Sequence, residues 1–120
     1  MMKKSLLLVA AVIGCSLFAS CGTTQQPLYS WYDSEDVSYE YNKTHSDEMR
    51  ASLLKEYQKM EAHQQGTRGT VPPGFYAEYG YALVAAGQRE EGLAKLRKEL
   101  ELYPESKVFV ERIIKQIEQQ

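Results

Sequence analysis

Cysteine is scarce in this chain: among 120 residues only Cys15 and Cys21 carry a thiol, and none follows them. No disulfide framework can therefore hold the remainder together. Histidine is as sparse, at His45 and His63, so a zinc site of the Cys/His type has too few ligands. Basic charge is not in surplus either, with 14 Lys and Arg against 16 Asp and Glu. A nucleic-acid binder needs clustered positive charge to meet phosphates, and that class is excluded. No glycine-rich loop lies between a strand and a helix to cradle a phosphate. Strand-like alternation of apolar and polar residues is also missing. What is present is apolar surface, in 43% of residues, enough to offset chain entropy over part of the length.

The one long apolar run comes first. Lys3 and Lys4 precede an unbroken stretch from Leu6 to Ile13, which continues with small interruptions to Ala19. It falls short of the ~20 clean apolar residues of a spanning helix and reads as a signal peptide over residues 1–20. Leu17-Phe18-Ala19-Ser20-Cys21 resembles the bacterial lipobox, an apolar residue and two small ones before a cysteine. That resemblance implies lipidation of Cys21: diacylglycerol on the thiol, cleavage before it, and a fatty acyl chain such as palmitate on the new amine. Cys15, after Val12-Ile13-Gly14, is a competing site. Cys21 is preferred because it leaves a longer apolar region and is followed by a polar tether, Gly22-Thr23-Thr24-Gln25-Gln26. Two or more acyl chains anchor firmly where one holds marginally. Gly22 stands where an Asp would resemble an inner-membrane retention signal, so the lipobox implies the periplasmic face of an outer membrane. Loss of residues 1–20 leaves 12 basic and 16 acidic side chains, a net charge of −4. An anionic bilayer does not attract such a body, and the acyl chains alone would hold it.

Residues 21–45 form a tether and an aromatic segment that carries Tyr29, Trp31, Tyr32, Tyr39 and Tyr41 with Pro27. They show no helical apolar stripe, which predicts an extended or short-turn course. Rings of this size bury roughly 150–250 Å² each when covered. Trp31 and its neighbours either pack across the helices as a cap on a small core or form a patch that faces a partner. Trp and Tyr favour such interfaces. A carbohydrate platform is a third use for the same rings.

Residues 46–118 are predicted to be a helical domain. Met49, Leu53, Tyr57 and Met60 recur at helical spacing, with Leu54 beside them, and predict a helix over about 47–65. Ser46 is its expected N-cap, or Thr44 with Asp47 in a capping-box-like start. After the loop Gly66–Thr70, Val71-Pro72-Pro73-Gly74 opens a second helix over about 73–86, with Phe75, Tyr76, Tyr79, Leu83 and Val84 on one side. Ala77 and Gly80 leave room for a neighbour, and Gly87 stops the helix. A partner over about 89–102, with Leu93, Leu96, Leu100 and Leu102, must run antiparallel because the turn is so short. Its outer face is expected to carry Glu91/Lys95, Lys95/Glu99 and Arg97/Glu101 pairs. Pro104 ends it, Ser106 is the expected cap of the next, and Phe109, Val110, Ile113, Ile114 and Ile117 give a last amphipathic helix over about 106–118. The expectation is an all-α unit of about four helices.

Pro73 to Pro104 resembles a tetratricopeptide repeat, used once. Tyr76 takes its aromatic position, Tyr79-Gly80 the Leu-Gly position, Leu83 and Leu96 its large apolar slots, Gly87 the turn and Pro104 the close. Gly92 stands where Ala is usual, and Glu99 where the pattern has a small residue. A single repeat cannot bury its own faces, so 106–118 is expected to stack on one side and 47–65 to cover the other. Over about residues 20–115 the chain also resembles a family of small bacterial lipoproteins of unknown function. The lipobox, Leu28-Tyr29-Ser30-Trp31-Tyr32, Val71-Pro72-Pro73-Gly74 and Tyr103-Pro104-Glu105-Ser106 carry that likeness, although Tyr32 replaces a Gly that follows the Trp there. Members are often encoded beside a lipoprotein resembling the curli secretion channel. The resemblance implies an accessory subunit of an outer-membrane lipoprotein assembly and no established activity.

No constellation of residues promises a reaction. A Ser or Cys nucleophile needs a base placed to take its proton, and His45 and His63 lie in a polar lead-in and at a helix end. Glu61 and His63 lack the i, i+4 spacing of a helical metal pair. The expectation is therefore not an enzyme, with no cofactor, no metal and no evident small-molecule substrate. The reading is a lipid-anchored binding or assembly module for partner lipoproteins in the cell envelope. Its candidate contacts are Tyr29, Trp31 and Tyr32, with Tyr76 and Tyr79 weaker because core packing competes for them. The alternatives are a glycan- or peptidoglycan-fragment-binding protein and a pilotin-like chaperone of an outer-membrane channel.

Overall fold

The computed structural model describes residues 2–6, 22 and 24–120. Cys15, Cys21 and the lipobox lie outside the described residues. Within them the chain is all-α, without a strand.

The first helix of the body, α1, covers Ser34–Thr44, where an extended course was expected. Its apolar side is only Val37 and Tyr41, one turn apart and half-buried against the core, too narrow a stripe to register as periodicity. Its ends are better marked. Glu35 and Asp36 sit in the first turn and Lys43 in the last, each complementing the helix dipole. His45 closes it in the left-handed conformation, φ 51°, its N–H bonded to the Tyr41 carbonyl at 2.7 Å.

Helix α2, Asp47–Ala62, is capped as expected: Ser46 Oγ accepts from the Met49 N–H at 3.2 Å. Thr44 is not its cap, since its hydroxyl donates back to the Glu40 carbonyl. Leu53, Tyr57 and Met60 are buried along one face. The helix ends at Ala62, earlier than predicted, because Gln64 is drawn into bonds with the aromatic segment.

Helices α3, Phe75–Ala85, and α4, Arg89–Leu102, form an antiparallel hairpin turned at Gly87, whose φ of 84° suits glycine. The two helices touch at Gly80 and Gly92. A methyl group on Gly80 would lie 2.6 Å from the Gly92 carbonyl oxygen, and one on Gly92 would lie 2.5 Å from that of Gly80. Small residues here let the backbones meet. After a 3₁₀ turn at Pro104–Ser106, α5 runs Lys107–Glu118. Ser106 makes no side-chain cap bond; the turn itself starts the helix. Tyr103 donates its hydroxyl to the Val71 carbonyl at 2.5 Å and ties this turn to the loop before α3.

Two cores result, one on each side of the hairpin. Helix α2 brings Leu53, Tyr57 and Met60 against Phe75, Tyr76, Tyr79 and Leu83, with Val71. On the other side, Val110 and Ile117 of α5 meet Leu93, Leu96 and Ala77. Phe109, expected in that face, is 62% exposed: it precedes Val110 by one position and so lies about 100° round the helix from it.

The charged surface of α4 differs from expectation in a specific way. Glu99 is 0% exposed, and its carboxylate accepts from the backbone N–H groups of Gly74 at 2.7 Å and Tyr76 at 3.2 Å. It caps the N-terminus of α3, which lacks a local side-chain cap. Lys95 therefore pairs with Glu61 of α2 at 2.7 Å, and Arg97 with Glu118 of α5 at 3.2 Å. These ion pairs join helices rather than lace one face.

Candidate functional site

The aromatic segment is bonded down before it becomes helical. The carbonyls of Pro27 and Leu28 accept from the N–H groups of Thr67 and Arg68 at 3.0 and 3.2 Å. Ser30 exchanges two bonds with the Gln64 side chain, at 3.0 and 2.9 Å, and its hydroxyl accepts from the Gln65 N–H. This strap fixes the three strongest candidates. Tyr29 meets Trp31 edge to face, with centroids 6.4 Å apart. Tyr29 also neighbours Tyr103, whose phenol is shifted upward by burial first and by Tyr29 next. Tyr32 sits in the left-handed region, φ 49°, where a glycine would be unstrained. Two contacts hold it there: its hydroxyl donates to the His63 carbonyl, and the Lys59 ammonium stands 4.4 Å from its ring centroid. The phenol of Tyr32 is thus committed within the chain.

Trp31 is different. Its carbonyl accepts from the Ser34 N–H at 3.1 Å, so its backbone is part of the start of α1, yet its side chain stays 45% exposed. The indole lines a groove of about 400 Å³ between α1 and α3. Tyr57, Met60 and Phe75 also line it, with Tyr39 and Glu35 contributed by α1. A second hollow of about 250 Å³ adjoins it, shares Ser38, Asn42, Tyr57 and Glu78, and extends to Tyr81. The Tyr57 hydroxyl donates to the Glu78 carboxylate at 3.2 Å. Burial pushes the Tyr57 phenol well above its ordinary range, and the charge and hydrogen bond of Glu78 add to the rise.

Tyr76 and Tyr79 belong to the core. They are 4% and 2% exposed, and lysines cover what remains: Lys98 stands 4.8 Å from the Tyr76 centroid and Lys95 4.9 Å from that of Tyr79. Packing between α2 and the hairpin takes most of their faces, which is the competition expected for them. The groove presents Tyr39, Glu35 and Glu78, whereas Tyr57 and Phe75, about as buried as Tyr76 and Tyr79, reach it only at an edge. Helical spacing identified Tyr57 and Phe75 only as core, and nothing local marks that one edge of each meets a groove.

The arrangement offers ring faces, hydroxyls, an amide and carboxylates, which suit recognition. Among the described residues no group of His, Cys, Asp and Glu is placed to hold a metal ion. No helix among them is long and apolar enough to cross a membrane. A family model described as a domain of unknown function, DUF4810, matches residues 28–113, from the strap to α5. No curated protein and no solved structure matches.

Proposed function

The chain belongs to the family described as a domain of unknown function, DUF4810, and we propose that it is a lipid-anchored accessory protein of the cell envelope. In this reading acyl chains on Cys21 hold it to the periplasmic face of the outer membrane. The body, with its Phe75–Leu102 hairpin as a single tetratricopeptide-like unit, binds or assembles partner lipoproteins. The mechanism is spatial: confinement to one membrane raises the effective concentration of partners anchored beside it. Catalysis and cofactors have no part in it.

The observation that carries the reading is Trp31, an indole held by a bonded strap and left half-exposed at the edge of a groove. Burying such a ring is costly to forgo, and a rigid one loses little entropy when a partner covers it. The polar lining of the same groove supports a second reading, in which sugars or peptidoglycan fragments stack on Trp31 and Tyr39.

Two experiments test the proposal. Cells labelled with tritiated palmitate are expected to show label on the protein, lost in Cys21→Ser and kept in Cys15→Ser. Label that survives Cys21→Ser overturns the anchor. A photo-crosslinking residue at position 31, followed by capture through a C-terminal tag, is expected to retrieve envelope lipoproteins. Retrieval of a single channel subunit instead supports the pilotin-like alternative, and glycan alone overturns both.

A further inference from the structure

We infer that the groove between α1 and α3 receives a basic segment of a partner polypeptide, one presenting a lysine or arginine beside an apolar residue. The inference rests on the binding-module reading above and names the chemistry of the partner.

The charge of the groove is the first ground. Glu35 and Glu78 line it, and no Lys, Arg or His lines either of its two hollows. Glu61 and Glu118 are met by Lys95 and Arg97, whereas surface acids such as Asp36, Glu90 and Glu105 make no ion pair among the described residues. The groove differs from these in holding two acids in one hollow with no cation in its lining. Among the described residues Glu35 and Glu78 make no ion pair. Glu78 is also aimed, since the Tyr57 hydroxyl holds one of its oxygens at the edge of the groove. Lys43, the cation of α1, stands 4.0 Å from Glu40 and 5.8 Å from the centroid of the lining residue Tyr39, and is not itself part of the lining.

The second ground is the floor. Trp31 and Tyr39 supply exposed aromatic faces, which attract a cation through their quadrupole and take an apolar side chain through area, while buried Tyr57 and Phe75 close the floor with their edges. A ring beside an unpaired carboxylate suits an ammonium or guanidinium on an aliphatic stem, because the stem packs while the head is neutralised. An acidic segment would bring like charges together. A neutral one would desolvate the two carboxylates without compensation. The volume, about 400 Å³, takes a few side chains rather than a whole folded element.

The test uses the full-length protein in a non-ionic detergent, where Trp31 is the only tryptophan and reports directly on the groove. Three end-blocked peptides are titrated: Gly-Lys-Leu-Lys-Gly, its Glu-for-Lys counterpart and its Ser-for-Lys counterpart. The lysine peptide is expected to shift Trp31 emission with saturation. Salt near 1 M, which screens beyond about 3 Å, should abolish the shift. The Glu35→Gln/Glu78→Gln double variant is expected to weaken binding about fivefold or more. A Glu90→Gln/Glu105→Gln variant, equal in charge but remote, should leave it unchanged. Equal binding of the three peptides, or a lysine-peptide shift untouched by Glu35→Gln/Glu78→Gln, overturns the inference, as does binding only to a soluble peptidoglycan fragment.

Capture from cells separates this from the reading beneath it. If lipoproteins co-purify with the double variant as with the parent, the groove inference fails and the assembly reading stands. If the lysine peptide binds but no lipoprotein is ever captured, the assembly reading fails and the basic-segment site stands.

Discussion

Glu99 and Gly74 lie 25 positions apart, and the buried carboxylate of the first accepts the backbone N–H of the second at 2.7 Å. One helix of the hairpin thereby caps the other, which couples the start of α3 to the packing of α4. Replacing Glu99 by Ala leaves the N–H groups of Gly74 and Tyr76 without this acceptor. A loss of about 2–4 kcal/mol is expected, measured as a shift of the urea midpoint. Glu99→Gln, which keeps one acceptor oxygen, should recover part of it.

Gly92→Ala is expected to destabilise, although alanine is the better helix former by about 1 kcal/mol. The added carbon would lie 2.5 Å from the Gly80 carbonyl oxygen and 2.6 Å from Val84 Cγ2. Backbone cannot yield there without opening the hairpin. A cost of about 1–3 kcal/mol by thermal or urea unfolding is the expected result. The repeat pattern favours alanine at this slot, so the substitution sets the local packing of this chain against its resemblance.

Gly66→Ala is expected to loosen the strap and leave the hairpin intact. Its methyl group would overlap the Leu28 carbonyl and approach the Tyr29 Cα to 2.6 Å. Amide exchange at Thr67 and Arg68 should rise about tenfold or more, while amides of α4 stay protected. Trp31 emission should shift to the red as the segment lifts.

Alkaline pH should weaken the fold through Tyr57. Its phenol ionises above the ordinary value near 10 because burial, and then Glu78, disfavour the phenolate. The folded state therefore holds its proton when the unfolded chain has lost it. The stability this contributes is whole below about pH 10 and is lost as pH rises beyond. Tyr57→Phe is expected to flatten the fall in urea midpoint between about pH 9 and 11. At neutral pH it should cost about 0.5–1.5 kcal/mol for the bond to Glu78.

Much of the body was legible because its signals are local. Leu53, Tyr57 and Met60 repeat at helical spacing, Ser46 caps, Gly87 turns, and the short link after α3 forces an antiparallel partner. The rest depends on residues distant in sequence. Helix α1 escaped notice because only Val37 and Tyr41 touch the core, and its position is set by contacts with α2 and by the Trp31 carbonyl. Glu99 read as a surface acid spaced for Lys95, since nothing nearby reveals that the open end of α3 lies beside it. The groove was half legible: Trp31 stood out by its rarity, whereas Glu35 and Glu78 are ordinary acids until α1 and α3 bring them to one hollow.

The strap also sets a length. Between Cys21 and Pro27, where the bonded segment starts, a fully extended chain reaches no more than about 20 Å. With acyl chains at Cys21, the body would be moored on a short leash, its underside close to the headgroups. Bulky soluble molecules would be shut out from that side. Companions tethered to the same leaflet would arrive at matching height, so the leash would act as a filter on who can dock.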